Sequence, residues 1–104
     1  MQFLVIAGSV EPIDMSKVGD APLRANNYRA ELMEAGRIVL HSHIAGHRAH
    51  MWIYDVAGVD ELDAVMNDDP MSAFISGSPT IYPLTSPARM AERARPLERA
   101  AAGQ

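Results

Sequence analysis

Two periods of hydrophobic and polar residues alternate along this chain, and the switches between them predict six elements in order. Phe3 to Ser9 is a short apolar run containing Val5 and Ile6, bounded by Gly8, Pro12 and Asp14, and it reads as a buried strand. A loop follows through Gly19. Asp20 then caps a helix that tolerates Pro22 in its first turn and runs to about Ala35, with Ala25, Tyr28, Leu32 and Ala35 at helical spacing and Gly36 as its stop. Residues 37 to 56, RIVLHSHIAGHRAHMWIYDV, alternate with period two on either side of Gly46 and predict a hairpin. Gly58 opens a second helix, where Val59, Leu62, Val65 and Met66 form one apolar stripe that ends at Asn67-Asp68-Asp69-Pro70. Ser78 to Leu84 fits a last strand, and Pro79 and Pro83 mark it as an edge. A final segment from Ser86-Pro87 carries Met90, Ala94, Leu97 and Ala101 at helical spacing, with a kink or an early end expected at Pro96.

The order β-α-β-β-α-β is the ferredoxin-like α+β arrangement, an antiparallel sheet with both helices on one face. Residues 1–85 are expected to form that domain and residues 86–104 a helical or frayed tail. Alternation then sorts the hairpin side chains. Ala49, Met51 and Ile53 are expected under the helices, together with Ile38, Leu40 and Ser42. His41, His43, Arg48, His50, Trp52 and Tyr54 fall on the other face, which is too apolar to leave in water and too polar for a dry core. The expected cover is a second copy of the chain, enclosing an aromatic-lined cavity of small-molecule character between two sheets.

Composition narrows the function classes. Residues 1–85 carry five basic and eleven acidic side chains, so the body lacks the basic face that nucleic acid requires. The four arginines of the tail are interleaved with Glu92 and Glu98. No cysteine is present, which excludes disulfides, thiolate metal sites and a cysteine nucleophile. The start, MQFLVIAGSV, has no basic n-region and reads as a strand. No stretch approaches membrane-spanning length, and a cytoplasmic location is the expectation.

The candidate chemistry lies in the hairpin. His41 and His43 are two apart on one strand, roughly 7 Å from each other, and His50 lies on its neighbour. Histidine titrates near working pH and serves as base and as proton return. Tyr54 or Arg48 would donate to a developing oxyanion, Trp52 would stack on a planar substrate, and Asn26 or Asn27 would orient a carbonyl. Tyr82 could join either face of the sheet. Each has a plainer reading: Trp52 as interface filler, His47 as an exposed turn residue, Arg29 and Arg37 as surface or ion-pair residues. His-X-His with His50 also matches a three-histidine zinc pattern, although no nearby carboxylate clearly serves as its outer partner.

Ile44-Ala45-Gly46-His47, Ala49, Asp55-Val56, Val59, Leu62 and Pro70, with Asp14-Met15 after the first strand, resemble the muconolactone Δ-isomerase family over roughly residues 1–85. The resemblance implies a dimeric α+β barrel, often in higher oligomers. It also implies an isomerase that shifts a proton on a butenolide lactone without metal or organic cofactor. The chain departs from the family pattern at Asn26-Asn27-Tyr28-Arg29, where the family has an acidic-basic cluster, and at Ser42 and His43, where it tends to have Trp and Arg. His50, Trp52 and Tyr54 replace smaller or less polar residues. The shared residues are mostly scaffold, and the pocket is rebuilt.

The leading expectation is therefore a cofactor-independent isomerase or related cyclase acting on a small unsaturated lactone or carbonyl compound. His41, His43, His50 and Tyr54 are its catalytic candidates, and Trp52, Arg48, Asn26, Asn27 and Tyr82 its binding candidates. A cofactor-free monooxygenase of the same barrel type, or a non-catalytic binding or assembly module, are the alternatives. Expected partners are a small-molecule substrate and a second copy of the chain, with neither nucleic acid nor membrane. The tail, through Met90, Ala94 and Leu97, is expected to lie against the partner or over the cavity mouth.

Overall fold

The strands and helices follow the predicted order in a computed structural model that describes residues 1–9 and 11–103. Strand β1 spans Gln2–Gly8, α1 Ala21–Glu34, β2 Ile38–His43, β3 Ala49–Asp55, α2 Val59–Asn67, β4 Thr80–Leu84 and α3 Pro87–Ala102. Short 3-10 turns at Met15–Lys17 and Ser72–Phe74 punctuate the connections. The four strands form one antiparallel sheet in the order β2-β3-β1-β4, the ferredoxin-like topology. β4 pairs only with β1, so its Pro83 sits on an edge strand and the missing N–H costs little.

The core lies between one sheet face and two helices. Phe3, Val5, Ile38, Trp52 and Tyr54 meet Leu32 of α1 and Leu62 and Val65 of α2. Phe3, Val5 and Leu62 are fully enclosed, and each such side chain contributes roughly 1.5–3 kcal/mol through burial. A second cluster joins Ala21 and Ala25 of α1 to Val18 and Met71. The Tyr28 hydroxyl donates to the Val65 carbonyl at 2.7 Å and fixes α1 against α2. Val59, expected in the α2 stripe, is exposed at the first turn.

The sheet faces are reversed relative to the alternation argument. His41, His43, His50, Trp52 and Tyr54 do share one face, as their pairing shows: Tyr54 opposite Phe3 and Ile38, Trp52 opposite Val5 and His41, His50 opposite Ala7 and His43. That face lies beneath the chain's own helices, however, where Trp52 is 5% and Tyr54 4% exposed. Met51 and Ile53 instead lie on the outer face with Leu4, Ile6, Leu40 and Tyr82. The reason is volume. The inward faces of α1 and α2 meet the sheet mainly through small and aliphatic side chains such as Ala25, Leu32, Leu62 and Val65, with Tyr28 and Arg29 beside them, and the large rings of the strands fill the space that Met and Ile were expected to take.

One irregularity keeps the grouping intact. Ile38 pairs with Tyr54 and Leu40 with Ile53, so Val39 is an extra residue without a partner. Ile38 therefore enters the core at 2% exposure while Leu40 turns outward. At the far end, α3 runs on through Pro96 to Ala102, so the expected early end is absent. No side chain of α3 is buried, and the molecule extends 65 × 29 × 20 Å. No helix among the described residues is long and apolar enough to cross a membrane.

Candidate active site

Side-chain size falls along β1 from Phe3 through Val5 and Ala7 to Gly8, and the helix-side core opens into a cavity as it does. Gly8 is obligatory there: a Cβ would run into the Arg48 carbonyl just before β3, so only glycine allows the backbones this close. Two adjoining chambers of about 390 and 230 Å³ share Ala7, Gly8, Arg29, Trp52 and Ile75 in their walls. Their size lies in or near the range of small-molecule sites. His43, Arg48 and His50 line the larger one; Tyr54, Met66, Asn67 and Asp69 line the smaller.

The histidines form a connected set. His41 Nε2 and His50 Nδ1 lie 2.9 Å apart, a hydrogen bond in which either ring can be the donor according to tautomer. His41 stacks on Trp52 with ring centroids 4.8 Å apart and a 10° interplanar angle; His50 stacks at 5.6 Å and 25°. His43 meets His50 edge-on at 5.2 Å. Burial holds the imidazoles of His41 and His50 below the usual histidine range. The neighbouring His50 lowers His41 further, the neighbouring His43 lowers His50 further, and the Arg29 cation adds to both. At neutral pH the pair is therefore uncharged and able to accept a proton. Burial also pushes the Tyr54 hydroxyl up to about 12, which keeps it a neutral donor.

Opposite the pair stands Arg29, one of the two arginines expected to be a surface or ion-pair residue, and it is in an ion pair. Arg29 Nε donates to Asp69 Oδ2 at 2.7 Å and Arg29 Nη2 to Asp69 Oδ1 at 3.2 Å. The two side chains are only 20% and 12% exposed. Asp69 Oδ1 also accepts from the Met71 backbone N–H at 2.9 Å, which anchors the loop after α2. The Arg29 guanidinium carbon lies 5.7 Å from the Trp52 ring centroid, a cation–π contact. The Trp52 indole N–H is buried and has no hydrogen-bond partner among the described residues.

Four of the nine candidates lie on the cavity wall of the larger chamber (His43, Arg48, His50 and Trp52), and Tyr54 lies on that of the smaller. His41 reaches the site through His50. Asn26 and Asn27 are exposed on the outside of α1, because the helix turns Ala25, Tyr28 and Arg29 inward instead. Tyr82 is 52% exposed on the outer sheet face, since it pairs with Leu4. Arg29 and Asp69 were missed. The signal for Arg29 was its position four residues after Ala25 and three before Leu32, on the same inward stripe. Among the described residues no group of three or more His, Asp or Glu side chains is placed to hold a metal ion.

With the site described, comparison with known proteins gives a consistent answer. The family model described as muconolactone delta-isomerase matches residues 1–89. Among solved structures, a muconolactone isomerase superposes with a TM-score of 0.70 at 23% identity, over 85% of this chain and 93% of that one. The 5-chloro-2-hydroxyhydroquinone dehydrochlorinase of Burkholderia phenoliruptrix, solved with 2,5-dihydroxybenzoquinone, superposes with a TM-score of 0.55 at 16% identity, over 86% and 98%. These two likenesses establish the fold. No curated protein matches the chain.

Proposed function

The chain belongs to the muconolactone delta-isomerase family, and from that premise we propose that it moves a proton on a small unsaturated lactone or carbonyl compound by general acid–base catalysis. The observation that carries this reading is the hydrogen-bonded His41–His50 pair at the wall of the larger chamber. In one tautomer His41 Nε2 accepts from His50 Nδ1–H, and the second nitrogen of His50 is then an unprotonated base. That nitrogen removes a proton from the carbon next to the carbonyl, leaving an enolate. The positive charge on His50 is relieved towards His41, the imidazole proton exchanges with solvent, and a proton is then delivered to the far carbon of the conjugated system. The step is redox-neutral. Uncharged imidazoles at neutral pH suit the role, since the base must start without its proton. Tyr54 is assigned the role of neutral donor at the wall of the smaller chamber, and His43 and Arg48 contribute to the wall of the larger.

Incubation with muconolactone in deuterated water tests this directly. The wild type should incorporate solvent deuterium at the migrating position, and His50→Gln should lower the rate by about 10²–10⁴-fold with binding retained. No exchange by the wild type on muconolactone or on simple unsaturated lactones, despite saturable binding, would falsify the proposal.

The outer face of the sheet supports the proposal that the enzyme works as a homodimer. Leu4, Ile6, Met51 and Ile53 form a contiguous aliphatic surface there with Leu40 and Tyr82, and a second identical face is a self-complementary cover for it. That partner would not wall the cavity, which lies on the other face of the sheet between α1 and the chain's own loops. Light scattering should give twice the chain mass for the wild type, and Ile53→Glu should shift it to the monomer.

A further inference from the structure

We propose that the smaller chamber is a second substrate subsite, in which the Tyr54 hydroxyl donates to an oxygen at the far end of a planar fused-ring substrate while the reacting carbonyl lies beside His50 in the larger chamber. The substrate class is then a carbonyl compound of two or more fused rings rather than a single-ring lactone. The inference deepens the proton-transfer reading and rests on it for where the chemistry happens.

Two unengaged polar atoms mark the ends of the site. Tyr54 Oη makes no hydrogen bond to a described residue, although Tyr54 as a whole is nearly enclosed. The oxygen itself is not sealed off, because among the described residues the Trp52 indole nitrogen is the buried side-chain polar atom that lacks a partner. The opening that Tyr54 borders is the smaller chamber, so its hydroxyl is a donor held for a ligand there. Burial keeps that hydroxyl protonated, its pKa pushed up to about 12. The same holds for His50 at the other end: Nδ1 is taken by His41, and Nε2 is unpaired and open on a residue of the larger chamber's wall.

The separation of these ends sets the size of the ligand. His50, Trp52 and Tyr54 alternate along β3, with ring centroids 5.6 Å apart for the first pair and 6.5 Å for the second. Four residues of strand span roughly 13 Å, so a single ring with its oxygens covers one step and not both. The chambers adjoin along Ala7 and Gly8, the smallest side chains of β1, and Trp52 and Ile75 also belong to both walls. Arg29, fixed by Asp69, is the charged member of that shared wall. Met66 and Pro79 add apolar surface around Tyr54, which suits ring carbon with one oxygen at its tip. A site built to hydrogen-bond an oxygen discriminates strongly against the analogue that lacks it.

Calorimetric titration of the full chain with three ketones tests the subsite. The wild type should bind 6-hydroxy-2-acetonaphthone at least tenfold tighter than 2-acetonaphthone, which lacks the far oxygen. It should show the same margin over 4-hydroxyacetophenone, which keeps the oxygen and loses a ring. Tyr54→Phe retains the packed ring and should bring the two naphthyl ketones to equal affinity. Ala7→Leu puts bulk where the chambers adjoin and should weaken both naphthyl ketones tenfold or more while sparing 4-hydroxyacetophenone. Absence of binding, equal binding of the naphthyl ketones by the wild type, a hydroxyl preference that survives in Tyr54→Phe, or naphthyl binding untouched in a folded Ala7→Leu would each overturn the subsite. If Ala7→Leu does not fold, the wild-type ratios and Tyr54→Phe decide it. A Tyr54-dependent preference without solvent exchange on any lactone would leave the subsite standing and remove the isomerase. His50-dependent exchange without that preference would do the reverse.

Discussion

The two ends of the helix-side sheet face follow opposite designs on the same strands. At one end Phe3, Tyr54 and Ile38 pack against Leu32 and Leu62, and of these Tyr54 also borders the smaller chamber. Three and more residues along, the strands carry Ala7, Gly8, His43 and His50, which line a cavity that Pro22 and Arg29 of α1 wall on the helix side. Trp52 and Val5 form the boundary. The lesson is that stability and chemistry are separated along a strand rather than between domains: the closed end holds the backbone still, and the open end can then afford unpaired donors and uncharged imidazoles.

The sharpest way to break this division is to open the closed end. Phe3→Ala should cost about 3–5 kcal/mol by removing the largest fully buried ring. Urea unfolding would measure it, and turnover per folded molecule should stay near wild type because the cavity lies elsewhere. If turnover fell in step with stability, the two ends would not be independent. A middle-sized effect is expected at the open end itself. Asp69→Ala leaves Arg29 without its carboxylate and the Met71 N–H without an acceptor, a loss of about 2 kcal/mol once partial exposure is allowed for. Substrate affinity should suffer more than it does for Phe3→Ala, since Asp69 holds the Arg29 fork.

The smallest effect is on pH dependence. The folded pKa of His41 and of His50 lies below the ordinary value of 6.5. Between the two values the unfolded chain binds more protons, so this contribution is fully present above pH 6.5 and is lost as pH falls through the folded pKa. Urea midpoints from pH 8 down to pH 5 should therefore decline more steeply for the wild type than for His41→Phe/His50→Gln. Parallel curves would show that the pair is not desolvated in solution.

Much of this was legible in the residues. Periodicity located all four strands and all three helices, because amphipathic spacing is enforced locally. It also grouped His41, His43, His50, Trp52 and Tyr54 on one face, since parity within a strand is fixed by geometry. Which face they share depends on how much volume the helices leave, and that is a property of the assembled core. Assigning rings outward and aliphatics inward was reasonable by polarity and wrong by size. Asn26 and Asn27 were favoured for their chemistry although their helical phase points outward, whereas Arg29, in phase with Ala25 and Leu32, was given a surface or ion-pair role and its place on the cavity wall went unread. Asp69 was read as a helix stop. Its pairing across 40 residues could not be seen without the fold.

The placement of Trp52 gives the molecule a built-in optical gauge. Its indole is flanked by two imidazole rings at 4.8 and 5.6 Å and is the sole emitter of its kind in the chain. Protonated imidazole quenches indole emission far more strongly than the neutral ring does. The steady-state brightness of the unlabelled protein should dim as acid is added and recover with base, tracing the charge on the two imidazoles beside it.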